Sequence, residues 1–497
     1  MGNVGSMTEE EIFRRYGHQF VIPIPHGLEW VIKAVATAPP VELASLDKRV
    51  RETLPYRQPE TEWLKIGPEE LEALLRSASS STEILGLASF HPSGYIRELA
   101  VRRLVQIRSG AELPFLLLRL NDWVAPLSHL ALSAVQERVT PQYAGAFIQN
   151  ILLVFNLAEQ KRHQHGPVLS AVMNLLKRPE CDGALQHGLV SPEKQVRRLC
   201  FRILREADDG RLLGTVPQML ADADPALRLA AARSARVTLS DDALDALLPL
   251  MKRDSFLPVR REALYACLER LPELAPAELR EALLDSSAAM RGIARYHLRQ
   301  AGTFDMPDFY RQALAASPVA SIDGLGETGT EQDVRWLLPY LSHPRAKIRR
   351  AAVRAVSRLD GDNQVEALLA ALIDDRPSVV HEAREALRPR LSLLREGALW
   401  RLFKADARLH VRRDILALLA SLPKWESVPF LVEAAVDEDP VVQEVAGKRL
   451  RGWYSGYNSS FVRPTQAQIV RLEEALRINP GTGLETLVND WKVKNKT

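Results

Sequence analysis

Apolar residues along most of this chain recur at intervals of four, and that recurrence itself returns about every 31 residues. One pattern is repeated: an acidic or polar residue, a Pro, an aliphatic residue, often an Arg, then Ala. Copies include DADPALRLAA at 222–231, DSFLPVRREA at 254–263, SHPRAKIRRAA at 342–352 and DEDPVVQEVA at 437–446. Anchored on the first apolar residue, the copies fall at Ile96, Leu127, Val168, Val196, Leu227, Val259, Met290, Ser317, Ile348, Val379, Val411 and Val442. Most anchors are 31 or 32 residues apart; the exceptions are 41 after Leu127, 28 after Val168 and 27 after Met290. Offsets 0, 4 and 8 share one face of a helix. They are apolar or small throughout, as in Val259, Ala263 and Cys267. Pro just before the anchor (Pro225, Pro258, Pro377, Pro440) suits a first helical turn, where its missing N–H does no harm.

A second helix is predicted ahead of each of these, for example over Asp241–Lys252, Glu331–Leu341, Asn363–Ile373 and Glu426–Val436. Thr330 and Asp333 have capping-box spacing. Nothing alternates with period two for long, so strands are not expected. Two helices in ~31 residues cannot bury their apolar faces alone, but stacked copies can. The ends differ. Residues 1–68 carry Pro-rich breaks and no clear copy, with Trp30 and Trp63 placed to cover the first repeat. Residues 457–497 contain a helix opening at Thr465 and running to about Ile478. Both ends read as caps around a repeat region at 69–456.

The pattern resembles HEAT repeats, in particular the short HEAT-like variety named after phycobiliprotein lyases, within the armadillo-type α-solenoids. The resemblance runs from about Glu69 to Gly456. It implies an all-α, right-handed α-solenoid of about twelve HEAT-like helix pairs with N- and C-terminal caps, and it places the second helix of each pair on the inner curve.

Two charged columns accompany the repeat. Asp122, Asp222, Asp254, Asp285, Asp374, Asp406 and Asp437 stand five residues before an anchor. Arg97, Arg197, Arg228, Arg260, Arg291, Arg349 and Arg412 stand one after. An Asp between helices accepts N–H bonds from the next helix start, and the Arg one turn on reaches that carboxylate or its neighbour. The family resemblance implies the same structural ladder. SPVASIDGLG at 317–326 lacks both columns and contains Pro318, Gly324 and Gly326, so a soft joint is expected there.

Composition narrows the chemistry. The 46% hydrophobic and 26% charged content is that of a globular chain. Three Cys cannot build a disulfide framework, which points to a reducing, cytoplasmic setting. No apolar run approaches the ~18 residues of a membrane span, and the start shows no secretory leader; a myristoylation-like pattern is present at Gly2 and Ser6. His381-Glu382 looks like the His-Glu motif of deoxyhypusine hydroxylases, but a single pair cannot hold two irons. His163, His165, Cys181 and His187 match no zinc spacing. No phosphate loop, GxSxG or HExxH occurs. No catalytic residue, cofactor or metal is therefore assigned, and the reading leans away from an enzyme.

The informative feature is a charge pattern. Offsets 2, 6 and 9 point away from the core face. In the repeats anchored at 196, 227, 259 and 290 these twelve positions hold Arg198, Arg202, Arg205, Arg233, Arg236, Arg261, Tyr265, Tyr296 and Arg299, the others being two Leu and a Gly. None is acidic, although basic and acidic totals are nearly equal at 65 and 62. The expectation is a concave, basic, partly aromatic groove, with a merely solvated Arg-rich face as the competing reading. As surface residues, Arg202 and Arg233 should be dispensable for folding. The function that follows is a scaffold or adaptor binding a protein partner through an acidic segment. The alternative is a nucleic-acid-binding solenoid, with DNA-repair glycosylases of the HEAT-like kind as its enzymatic form. Oligomeric state is not legible.

Overall fold

The computed structural model describes residues 35, 38–53, 62–77, 81–157, 165–302, 304–395, 397–456, 462–482 and most of 484–489. Expectations on Gly2, Ser6, Trp30 and His163 lie outside the described residues. Among those described, α-helices and short 3-10 and π turns occur, and no strand. The chain divides into two units, Met1–Ala263 and Leu264–Thr497.

Each unit is a stack of helix pairs. In the first, Ser81–Ala88 pairs with Gly94–Leu104, Leu113–Arg119 with Ala125–Glu137, Asp182–Leu189 with Lys194–Ala207, and Arg211–Leu220 with Pro225–Thr238. Three helices, Ala144–Gln149, Ile151–Leu157 and Gly166–Leu176, stand where one regular pair would be, which accounts for the 41-residue interval. In the second unit, Ala275–Ala282 pairs with Ala288–Ala301, Met306–Ala313 with Pro318–Thr328, Val365–Ala371 with Pro377–Leu387, Ala398–Ala405 with Leu409–Leu419, and Lys424–Ala434 with Pro440–Ser455. Eleven of the twelve second helices begin two residues before the anchor; the Ser317 copy begins one residue after it. The residue at offset 4 is 0% exposed in all twelve, from Ala100 to Ala446. Ala, Ser or Cys at all of these but Val172 and Ile415 lets neighbouring backbones approach.

The two charged columns meet across repeats. Arg97 donates to both carboxylate oxygens of Asp122, at 2.9 and 3.0 Å. The same fork joins Arg197 to Asp222 at 2.8 and 2.9 Å, Arg228 to Asp254 at 2.7 and 2.9 Å, and Arg349 to Asp374 at 2.7 Å twice. Arg412 reaches Asp437 alike. In each case the Arg of one repeat takes the Asp that opens the next. The remaining Arg donors close its own inter-helix loop, as Arg228 does on the Asp222 carbonyl at 2.9 Å. The Asp in turn accepts the backbone N–H two residues on, from Asp224, Phe256 and Arg376 at 2.7–2.8 Å. Burial alone would raise these carboxyls. The guanidinium and backbone N–H bonds outweigh it and hold Asp122, Asp222, Asp254, Asp374 and Asp437 below the ordinary carboxylate range.

Three local expectations change. The single helix expected over Glu331–Leu341 breaks into a 3-10 turn at Glu331–Asp333, a short α-helix at Val334–Leu337 and a second 3-10 stretch at Leu338–Ser342. Pro339 interrupts it, while the Thr330–Asp333 capping box forms as expected. The Ser317 copy is closely packed where a loose segment was expected. A Cβ on Gly326 would meet the Ala355 Cβ at 2.7 Å and its Cα at 2.8 Å, and Gly324 lies under the ring of buried Tyr310. With Gln312 where an Asp would stand, Arg291 turns to Glu327 instead, and Arg311 reaches Asp333 at 2.7 Å. At the ends, Trp63 is buried against His91, whose ring nitrogen bonds the Trp63 carbonyl at 3.0 Å. Thr465 caps Gln466–Ile478 through a reciprocal bond pair with Gln468.

Asp254→Ala is expected to lower unfolding free energy by about 1.5–3 kcal/mol, since it strips Arg228 of a charged acceptor. Gly326→Ala should cost about 1–3 kcal/mol by overpacking. The depressed ladder carboxyls give a pH signature. Their stabilisation is complete above the unfolded carboxyl value of about 3.9 and is lost as pH falls through the lower folded values. Thermal unfolding followed by circular dichroism should be flat from neutrality to about pH 5 and fall steeply below about pH 4, less steeply in Asp254→Asn.

Candidate binding face of the second helices

All nine residues singled out from the sequence lie outside the core, exposed or half-buried. Six belong to the first unit. Arg198, Arg202 and Arg205 are on the Lys194–Ala207 helix, Arg233 and Arg236 on Pro225–Thr238, and Arg261 on Leu257–Arg270. Tyr265 follows on the last of these helices, half-buried, within the second unit. Tyr296 and Arg299 are exposed on Ala288–Ala301, with the Tyr296 ring against His297 at 5.1 Å.

The face is less uniformly basic than its composition implied. Glu262, only 4% exposed, accepts from Arg233 at 3.2 Å and from Arg236 at 3.0 Å. Arg198 forks onto Asp224, with one bond at 2.6 Å. Arg202 stands 3.7 Å from Glu206 and over the Phe155 ring at 4.7 Å. Arg205 has no carboxylate partner among the described residues, and the buried Nε of Arg261 has no hydrogen-bond acceptor. Among the described residues, six guanidiniums thus face three carboxylates: Arg205 and Arg261 hold none, and Arg202 has only the 3.7 Å approach to Glu206.

The missed carboxylates follow a rule of their own. Glu262 stands three residues after its anchor, and so do Glu382 and Asp414. Each takes an Arg from the preceding second helix. Arg354 reaches Glu382 at 3.0 and 2.5 Å, and Arg384 reaches Asp414 at 2.5 Å. This is a second lateral ladder, in which offset 6 or 5 of one repeat meets offset 3 of the next. A scan of offset 3 would have found it. It also explains why Arg202 has no lateral partner, because the residue three after Leu227 is Ala230 and offers it nothing. In the second unit the alternation is more complete. Asp323 adds a carboxylate 3.4 Å from Arg354, and Glu327 takes Arg295 at 2.5 Å.

The other candidates are structural where described. Glu382 belongs to Arg354, and the His381 ring lies 3.0 Å from Arg384. Cys181, Cys200 and Cys267 are buried and form no disulfide, and burial pushes Cys200 up to about 12. Among the described residues no three His, Cys, Asp or Glu stand together as metal ligands. No helix among them is long and apolar enough to cross a membrane.

Arg233→Glu is not neutral, contrary to the expectation from surface position. It sets a second carboxylate beside buried Glu262 and should cost about 1–2 kcal/mol, whereas Arg205→Glu should stay within about 0.5 kcal/mol. Chemical denaturation of the two variants checks this.

A family model described as HEAT repeats matches residues 184–269 and 313–388. The match is to HEAT repeats and does not single out the phycobiliprotein-lyase kind. No curated protein matches the sequence. Among solved structures, Kap95p with RanGDP is 13% identical, covering 90% of this chain and 69% of that one, with a TM-score of 0.40. Yeast importin-beta (Kap95p) is 13% identical over 97% of this chain and 72% of that one, at 0.37. The C-terminal fragment of the Chaetomium thermophilum cohesin loader SCC2 is 12% identical over 91% and 43%, at 0.29. Likeness at this level transfers no activity.

Proposed function

We propose that this chain, a HEAT-repeat α-solenoid, is a non-enzymatic scaffold that holds an acidic segment of a protein partner against the second helices of its first unit. The observation that carries this reading is the charge surplus at Arg205 and Arg261, with Arg202 held only by the 3.7 Å approach to Glu206, on a face where the lateral ladder neutralises their neighbours. Guanidinium is the group best suited to bidentate contact with a carboxylate, and its weak hydration lowers the cost of burying it in an interface. Arg233, Arg236 and Arg198 flank these groups but already hold carboxylates. Their role is to fix the face, with any contact to the partner made by their remaining donors. Tyr296 and Arg299 present the same chemistry on their own helix in the second unit. Three buried cysteines outside any disulfide suit a cytoplasmic setting.

A carboxylate ligand is favoured over phosphate because Asp224, Glu206 and Glu262 interrupt the positive surface, and a nucleic-acid backbone carries a charge at every step. The test measures binding of a glutamate-rich peptide and of generic single- and double-stranded nucleic acid at two salt concentrations. Arg202→Glu with Arg205→Glu is expected to weaken peptide binding at least tenfold with the fold intact. Arg388→Glu with Arg451→Glu should do much less. Equal binding by both charge-reversed proteins would remove the proposal. Tighter binding of nucleic acid with a steep salt dependence would replace it by the nucleic-acid reading.

A further inference from the structure

We propose that a cavity in the last repeats of the second unit binds a small amphipathic carboxylate, an apolar chain or ring bearing one acid group. The site is separate from the arginine face and does not depend on the function proposed for it. The cavity holds about 630 Å³, within the ~300–1,000 Å³ usual for ligand pockets. It opens between the Ala398–Ala405 and Lys424–Ala434 helices, after a loop that turns at Gly397 with φ +70°. Its apolar wall is made by Leu399, Trp400, Leu419, Pro429 and Phe430, with the Trp400 and Phe430 rings 5.2 Å apart at 41°.

The opposite wall is the Gln466–Ile478 helix, and it offers donors. Gln468 and Arg471 both line the cavity and, three residues apart, share one helical face. The Gln468 carbonyl oxygen is engaged by the Thr465 N–H at 2.9 Å, which leaves its NH2 group to donate. Arg471 is paired with Glu433 through one terminal nitrogen and lies over the Phe430 ring at 5.5 Å. The rest of its fork is available. Glu426 is the one acidic residue among those lining the cavity, and it is exposed. An apolar volume with a cation and an amide donor on one wall matches a carboxylate head on an apolar body. An alkylammonium would set a cation against Arg471, and an alcohol would leave the charged donor unmatched.

Decanoate, decanol and decyltrimethylammonium, titrated into the full chain and followed by tryptophan fluorescence and calorimetry, test this. Decanoate should bind at least tenfold more tightly than decanol, and the ammonium more weakly than either. Gln468→Glu keeps the helix start, because a Glu at that position also accepts the Thr465 N–H, but it replaces the donor by a carboxylate. It should lower decanoate affinity at least tenfold and leave decanol unchanged. Ala467→Phe, which puts a ring into the space, should remove both. Arg202→Glu with Arg205→Glu should bind decanoate as the parent does, so failure at one site is distinct from failure at the other. The proposal is overturned if decanoate binds no better than decanol, if no decanoate binding is seen, or if Gln468→Glu retains full decanoate affinity.

Discussion

The arginine–aspartate fork between successive repeats sets the spacing on which the rest of each stack depends. The Arg one turn into a second helix can meet the Asp that opens the next inter-helix loop only if the intervening chain has a fixed length. That length is 25 or 26 residues in every observed pair, from Arg97 with Asp122 to Arg412 with Asp437. The small residue at offset 4 imposes the same register from the apolar side, because it must face its counterpart for the backbones to approach. Two independent requirements therefore fix one period. Where the Asp is missing, at Gln312, the arginine finds Glu327 and the contact is kept by glycines against Tyr310 and Ala355.

Burial of the ladder varies, and the variation has consequences. Arg97 and Asp122 are wholly buried, and so are Arg119 and Arg138, the last held by Glu112 at 2.7 Å and by the carbonyls of Val105 and Ile107. Later rungs keep some contact with solvent, as with Arg228 and Asp254 at 14% and 7%. A buried pair recovers its desolvation cost only when every donor is used. For Arg97 and Arg138 those donors go to backbone carbonyls at loop and helix ends, so the charge also fixes the chain path. Breaking such a pair leaves an uncompensated charge, and the early rungs are accordingly the most sensitive to substitution.

The period, the anchors and the ladder were legible because each repeat states them again. A degenerate copy such as SPVASIDGLG could be placed from its neighbours, and Ser321 and Leu325 are indeed buried. What was not legible was local to a single copy. Pro339 breaks a helix that apolar spacing alone would continue, and three helices replace a pair over 144–176. The surface reading was incomplete for a different reason. A helical wheel ranks exposure on one helix, whereas Glu262 is buried by the helix before it and neutralises two arginines that the wheel counts as free.

That difference decides where binding chemistry resides. An arginine held laterally by a carboxylate has spent its orientation on the stack and presents only leftover donors. One whose next repeat offers Ala at offset 3, as Ala230 does to Arg202, has no lateral partner and keeps its terminal nitrogens for a ligand, its Nε being buried beside Glu206. The same logic applies on the first-helix side, where Gln468 satisfies a helix start with its oxygen and retains its amide donors for the cavity. In a repeat protein the periodic contacts are consumed by the scaffold. Recognition is then left to positions where the period supplies no partner, and these are found by following each ladder until a rung is missing.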